Sequence, residues 1–332
     1  MYDAFVLAAG LGTRLRPLTE HRPKPLVPMC GVPLLAYSLV AAGRHGLRDV
    51  IINAHWLSEQ IEAWAGPREG VSVTVSTELP EVLGTGGGLK RAAEQMAPTF
   101  VVLNADVLHD VDLTRLRAAV PAGGAAMALR SDPENAPRYG VVAADAEQVV
   151  TRLVKVASAT PAGAEDTSTH FTGIHALSRE ALALVPDGVS DIVRTAYKAL
   201  VPQRRVRAIR YDGVWLDAGD PAAYLDANLQ LLQRRFVPAL DPFTRAGWAR
   251  TPGGEVTGDP ALVHGATVRG PAWVGAGAEL SGVTLDTSIV GAGARVARGA
   301  TLTRSVVWDG ATVPAGDWSD VVVHPGGVLA TR

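Results

Sequence analysis

A single cysteine, Cys30, stands among 332 residues. No disulfide can form within the chain, and the thiolate sets of structural zinc sites lack their ligands. In its setting, VPMCGVPL, Cys30 reads as a small packed hydrophobe. Aromatics make up only 5% of the chain, and its tryptophans lack the interleaved basic residues of a nucleic-acid stacking surface. An excess of either charge is missing too: 31 Lys and Arg stand against 33 Asp and Glu, a net −2. That balance gives no global field for nucleic acid or an anionic membrane, and neither partner is expected. No apolar run approaches the roughly 20 residues needed to cross a bilayer. MYDAFVLAAG, at the start, has no basic n-region and no long apolar h-region, so no signal peptide is expected and the expected location is cytoplasmic. The eight histidines form no metal-ligand spacing.

A hydrophobic share of 47% with 19% charged residues describes a globular chain with a substantial core, long enough for two domains. From residue 3 to about 235, short apolar runs alternate with amphipathic helical patterns. AFVLAAG, DVIINAH, VSVTVSTE and TFVVLNADV read as strands. PLLAYSLVAAGRHG reads as a helix with Pro33 near its start and Gly46 at its end, and LSEQIEAWAG as a helix with Ser58 as a candidate cap. The alternation predicts an α/β domain over 1–235, with a mostly parallel, Rossmann-like sheet flanked by helices. Composition shifts after 236. VPALDPFTRAGWARTPGGEV is rich in Pro and Gly without periodicity, which predicts a linker over 236–255. Beyond it, Leu262, Val268, Val274 and Leu280 are spaced six apart, and after a register slip Val290, Val296 and Leu302 resume the spacing. Period six with intervening glycines predicts a parallel β-helix over 256–332.

Between the first strand and the first helix lies LAAGLGTRLRPLTEHRPKPLVP. Gly10 and Gly12 permit a sharp turn and close approach of backbone amides to a ligand. Those amides, with Thr13, predict an anion cradle. Arg14 and Arg16 add planar donors that match phosphate oxygens, and Lys24 is a point charge stiffened by Pro23 and Pro25. Carboxyl ends of parallel strands are where such sheets take ligands, so the loop reads as a polyphosphate grip. Two other grips fit poorly. No Gly-Lys pair followed by Ser or Thr stands at the first βα turn, and Leu15 occupies the place of the third glycine of a dinucleotide fingerprint.

This run resembles the signature of the sugar-1-phosphate nucleotidyltransferases, or NDP-sugar pyrophosphorylases. Further matches follow in order: LGTGGGL at 83–89, NADV at 104–107, YGVV at 139–142, FTGIHAL at 171–177 and WLDAGDPAAYLDAN at 215–228. The resemblance spans residues 3–235, and a C-terminal left-handed β-helix is common in the family. It implies an enzyme that joins an NTP to a sugar-1-phosphate with release of pyrophosphate. It also implies that Arg14 grips the β- and γ-phosphates and that Lys24 contacts the α-phosphate and the sugar phosphate. Asp106 and Asp217, each at a strand end, resemble the family's two Mg²⁺-binding aspartates, although Ala105 stands where the family usually has glycine. Leu7, Ala8, Ala9, Gly10, Gly12 and Thr13, with Gly84, Thr85, Gly86 and Asn104, are the implied nucleotide-binding positions. Gly140, Gly173 and Lys155 are those implied for the sugar. Here Val154 and Val156 flank Lys155 where relatives have Glu-Lys-Pro, which leaves the sugar open.

The base is open as well. GTP with mannose-1-phosphate leads, because that activity commonly accompanies a short β-helix. UTP or dTTP with a hexose- or muramate-1-phosphate follows, and a non-catalytic sugar-nucleotide sensor is a third reading. For the β-helix a structural, regulatory or homo-oligomerising role is expected.

Overall fold

The computed structural model describes residues 1–67, 70–235, 238, 240–242, 248–251, 254–258 and 265–331, with backbone alone at 248–251 and 254–258. Contacts divide the chain into two compact units. One holds residues 1–11, 38–105 and 109–215; the other holds 12–37, 106–108 and 216–332.

The first unit is built on a seven-stranded sheet. From one edge its strands are Val206–Tyr211, Ala125–Ser131, Thr169–Ser178, Met96–Asn104, Tyr2–Leu7, Asp49–Ala54 and Ser72–Thr77. Only Thr169–Ser178 runs antiparallel to its neighbours; the other pairs are parallel. Phe5 pairs with Ile51 on one side and Val102 on the other. All three are buried, as expected of strands covered on both faces. The chain leaves Tyr2–Leu7 toward Asp49–Ala54, then returns to its other side as Met96–Asn104. That reversal is a topological switch point, and Leu7 and Asn104 pair at the carboxyl ends of the two strands there. Phe5, Phe100, Met127 and Tyr197 share one core.

Two local expectations changed. The helix Ser58–Trp64 starts without a side-chain cap: Leu57 takes the N-cap place in a left-handed conformation and Ser58 is already helical. The run GTGGG also reads by composition as a turn leading into the helical pattern LKRAAEQM, but its glycines lie inside the helix Gly84–Ala92.

In the second unit, strands Ala272–Val274, Ser288–Val290, Val306–Val307 and Val321–His324 stack in parallel on one face. Thr267–Val268, Thr284–Asp286, Thr301–Thr303 and Asp317–Ser319 form a second, and Glu279–Leu280, Arg295–Val296 and Thr312–Val313 a third. Three parallel faces visited in rotation make a β-helix. Val268, Val274, Leu280, Val290, Val296 and Leu302 all point into its core, as the six-residue spacing predicts. Leu262 and much of the stretch read as a linker lie outside the described residues. Within that stretch Trp248–Thr251 pairs antiparallel with Gly254–Gly258, which runs parallel to Ala272–Val274. The interior is continuous with Leu15, Leu18, Val27 and Met29 of the opening loop and with Tyr224 of the helix Pro221–Leu232.

One buried titratable group gives the first unit a pH signature. His175 is enclosed in the sheet with its Nδ1 2.6 Å from Tyr197 Oη, and burial lowers its imidazole from 6.5 to about 3. The unfolded chain takes up that proton near the ordinary value. Stability from this group is therefore intact above pH 6.5 and lost as pH falls toward 3. Between about pH 6.5 and pH 5, wild type should lose about 2 kcal/mol more than a His175→Gln variant in urea unfolding. Equal pH slopes for the two proteins would refute this.

Candidate active site

The second unit gathers four charged residues from distant parts of the chain. Lys24 opens a short 3₁₀ turn, Lys24–Leu26, with Pro23 before it and Pro25 inside it. The prolines fix two backbone angles, so the side chain leaves a stiffened platform. Its ammonium forms an ion pair with Asp106, in a setting that leaves the side chains only 12% and 25% exposed. Asp106 is tied to the strand end at 215–217, because the Ala218 amide donates to the Asp106 carbonyl at 3.1 Å. The Asp217 carboxyl is raised above its ordinary value by burial and then by the Asp106 carboxylate, against the pull of Lys24 and Arg14. Gly219 crowds it from the backbone side: a Cβ there would stand 2.7 Å from Asp217 Oδ2.

Arg14 is exposed and has no carboxylate in hydrogen-bond contact among the described residues. It lies in the 3₁₀ turn Thr13–Leu15, after Gly12 at φ +63°. Thr19 Oγ1 donates to the Gly12 carbonyl at 2.8 Å and Leu15 is buried, so the turn is held from inside while Arg14 projects outward. The amides of Gly12, Thr13 and Arg14 donate to no protein acceptor among the described residues. Three N–H groups and two cations beside two carboxylates can receive phosphate oxygens, and a dication as well.

In the first unit the implied nucleotide positions sit on a buried polar network. The Asn53 side-chain oxygen accepts from the Ala8 amide at 2.7 Å and from the Ala9 amide at 3.3 Å. Asn53 Nδ2 donates to Glu78 Oε1 at 2.8 Å, and Glu78 Oε2 accepts the Leu83 amide at 2.7 Å. Glu78 is wholly buried. The amides of Ala8 and Ala9 are thus spent on holding the strand end, while Gly10 faces open space. Gly86 and Gly87 donate to the Ser190 carbonyl, and Thr85 Oγ1 accepts the Ile192 amide at 3.1 Å. A Cβ on Gly86 would stand 2.8 Å from Ser190 Oγ, and one on Gly88 would stand 2.6 Å from Glu78 Oε1. These glycines answer first to close packing of the chain on itself.

The positions implied for the sugar are only partly gathered. Gly173, at φ +82°, packs against the Asn104 side chain, and Gly140, at φ +95°, against Val154. Lys155 instead lines an open cavity of about 510 Å³ with Arg152 and Lys198. Sequence reasoning missed two groups here. One is the Asn53–Glu78 network, whose only signal was a polar residue ending the apolar strand DVIINA. The other is a ring cluster in which His170 lies 4.8 Å from Tyr139 and 5.0 Å from Trp215, with Trp215 Nε1 donating to the Thr172 carbonyl. Its members are far apart in sequence and share no motif.

Residues 3–234 match the family described as nucleotidyl transferase. The chain belongs to the nucleotidyl transferase family. Among its relatives is a mannose-1-phosphate guanylyltransferase of Mycobacterium tuberculosis, 29% identical over 91% of this chain and 83% of that one. A UTP–glucose-1-phosphate uridylyltransferase of Synechocystis is 29% identical over 92% and 82%. The crystal structure of HddC from Yersinia pseudotuberculosis has the same fold over 69% of this chain and 98% of its own, with a TM-score of 0.55 and 24% identity. This nucleotidyltransferase has no helix among the described residues that is long and apolar enough to cross a membrane.

Asn53→Ala should test the buried network. It leaves two amides and one carboxylate oxygen without partners, each costing about 1–3 kcal/mol. Asn53→Asp, which sets a second carboxylate against Glu78, should destabilise further. An Asn53→Ala protein with the wild-type urea midpoint would show that the network does not hold this strand end.

Proposed function

We propose that this nucleotidyltransferase joins an NTP to a sugar-1-phosphate, releasing pyrophosphate. The carrying observation is the cluster of Lys24, Asp106, Asp217 and Arg14, with the unspent amides of Gly12, Thr13 and Arg14 beside it. In the reaction a phosphate oxygen of the sugar phosphate attacks the α-phosphorus in line. The bond from the α-phosphorus to the bridging oxygen breaks, and pyrophosphate leaves with that bond's electron pair. Both reactants are polyanions, so catalysis rests on positioning and charge stabilisation rather than on a covalent intermediate. Arg14, exposed and without a carboxylate partner among the described residues, is the residue for the β- and γ-phosphates, and its fork supports the charge gathering on pyrophosphate. Lys24 neutralises the α-phosphate and the attacking phosphate.

Asp106 and Asp217 fit a divalent cation. Burial and then the Asp106 carboxylate raise the proton affinity of Asp217 there, and a dication would relieve the repulsion. Among the described residues no third His, Cys, Asp or Glu completes a protein-only metal cluster. That suits Mg²⁺, which takes one or two carboxylates and fills its shell with phosphate oxygens and water. When bound, it supplies positive charge to the phosphates. Ala8, Ala9 and Gly10, with Gly84, Thr85 and Gly86, are assigned to the base and ribose, and Gly140 and Gly173 to the sugar.

For the substrates, GTP and mannose-1-phosphate lead. The guanylyltransferase relative supports this by matching through the C-terminal β-helix as well as the catalytic part. The Synechocystis relative matches as far and favours UTP with glucose-1-phosphate as the second reading. A matrix of the common NTPs against glucose-, mannose-, muramic- and heptose-type 1-phosphates, read by pyrophosphate release, decides between them. Silence across the matrix, with magnesium present, ends the proposal.

In the active pair, Arg14→Ala should lower kcat by about a hundred- to a thousandfold, the usual loss for one charge-stabilising donor. Arg14→Lys should recover only part, because it keeps the charge and loses the fork. A wild-type kcat in Arg14→Ala would remove Arg14 from the reaction.

A further inference from the structure

The strip of loop that presents Lys24 is tied to the β-helix by a hydrogen-bond relay. Trp308 is buried at the end of the strand Val306–Val307, and its Nε1 donates to Tyr224 Oη at 3.0 Å. The Tyr224 hydroxyl donates in turn to the Pro28 carbonyl. Burial pushes that phenol up, so it stays a donor across the working pH range. Four residues before Pro28 stands Lys24, and the backbone between them is closed by the bonds from Leu26 to Pro23 and from Val27 to Lys24. From the other side the Arg22 guanidinium lies over the Trp308 ring, 5.1 Å from its centre. One indole thus grips the segment 22–28 at both ends, through its N–H at one and its π face at the other. Asn228, one turn past Tyr224, adds a parallel tie. Its Oδ1 accepts the Cys30 amide at 2.8 Å, and its Nδ2 donates to the Tyr224 carbonyl.

We propose that Trp308 is a positioning residue for nucleotidyl transfer, acting through Tyr224 and Arg22 to hold the loop that presents Lys24. The inference rests on the phosphate-binding role assigned to Lys24 above. A lysine misplaced by about an ångström loses much of its effect on the transition state, and a neighbouring carboxylate gives it an unproductive partner. The β-helix thereby adds a polar tie to its apolar packing against this loop.

The test is a double-mutant cycle with a readout of loop order. Trp308→Phe keeps an aromatic face and removes the N–H together with the pyrrole ring; Tyr224→Phe removes the hydroxyl alone; Leu302→Val perturbs the β-helix core away from the relay. Both relay variants should lose about tenfold in kcat, the usual scale for one hydrogen bond spent on positioning. NTP dissociation constants should change less. Leu302→Val should lower the urea midpoint and leave kcat unchanged. In a Lys24→Met background, the Trp308→Phe effect should vanish, because the lysine it positions is gone. Hydrogen exchange at the Leu26 and Val27 amides should quicken in Trp308→Phe. An unchanged kcat, or an equal loss with and without Lys24, overturns the proposal. If wild type transfers no nucleotide at all, the functional reading falls instead. The exchange measurement still separates the two: unchanged exchange in Trp308→Phe then overturns the relay on its own.

Discussion

The ion pair between Lys24 and Asp106 is the constraint from which the charged site follows. Both side chains are largely shielded from water, and partly buried ions cost free energy unless their partners stay in reach. Three segments of the second unit therefore meet there: the Pro23–Pro25 platform, the short segment 106–108, and the chain around Asp217. Asp217 is the residue left over. Its carboxyl is pushed up by burial and by Asp106, so the cluster holds more negative charge than Lys24 alone can satisfy. A polyphosphate by itself would worsen that excess. Under the proposed reaction, a polyphosphate with a divalent cation would reverse it, because Asp106 and Asp217 would hold the cation and Lys24 would be free for a phosphate. Under the proposed reaction, the pair is the resting partner that keeps the lysine extended until a better anion arrives.

A second constraint, wholly uncharged on its donor side, works in the first unit. Asn53 spends its oxygen on the Ala8 and Ala9 amides and its nitrogen on Glu78. The buried Glu78 is bearable only because both its oxygens accept hydrogen bonds. This fixes the end of the central strand and the start of the glycine helix by one set of bonds. Side chains at 84, 86, 87 or 88 would collide with residues 188–192 or with Glu78 and Asn53. Tight local packing, rather than conformational freedom, accounts for most of that glycine run.

Periodicity and local chemistry were legible in the sequence; long-range pairings were not. The mostly parallel sheet follows from apolar runs alternating with helical patterns, and Val268 through Leu302 follow from a period that no helix or hairpin shares. Arg14, Lys24, Asp106 and Asp217 could be named because motif and strand-end position marked them. Asn53 with Glu78, Tyr139 with His170 and Trp215, and Tyr224 with Trp308 could not. Nothing local signals these pairings, even for Tyr139, Trp215 and Tyr224 inside quoted motifs, because each partner stands 25 to 84 positions away. Ser58 shows the opposite failure. It is a good cap by residue type, but the preceding Leu57 adopts the left-handed conformation that starts the helix and leaves Ser58 no cap to make.

Covalent order and packing order differ in this chain. The family match runs through residues 3–234, while residues 12–37 pack with 216–332. The reason is apolar. Leu15, Leu18, Val27 and Met29 are buried beside the β-helix interior, and at roughly 1.5–3 kcal/mol per fully buried side chain they could not stay in water as a loop. A loop that binds a polyanion must expose its cations and amides on one side. Its other side needs a rigid apolar surface, because a free loop of this length would give up in ordering entropy much of what each phosphate contact returns. The β-helix supplies that surface in a form that hardly deforms, since each coil is bonded to the next along its length. The loop that carries Arg14 and Lys24 therefore derives its order from packing against the β-helix that follows the family-matched sequence.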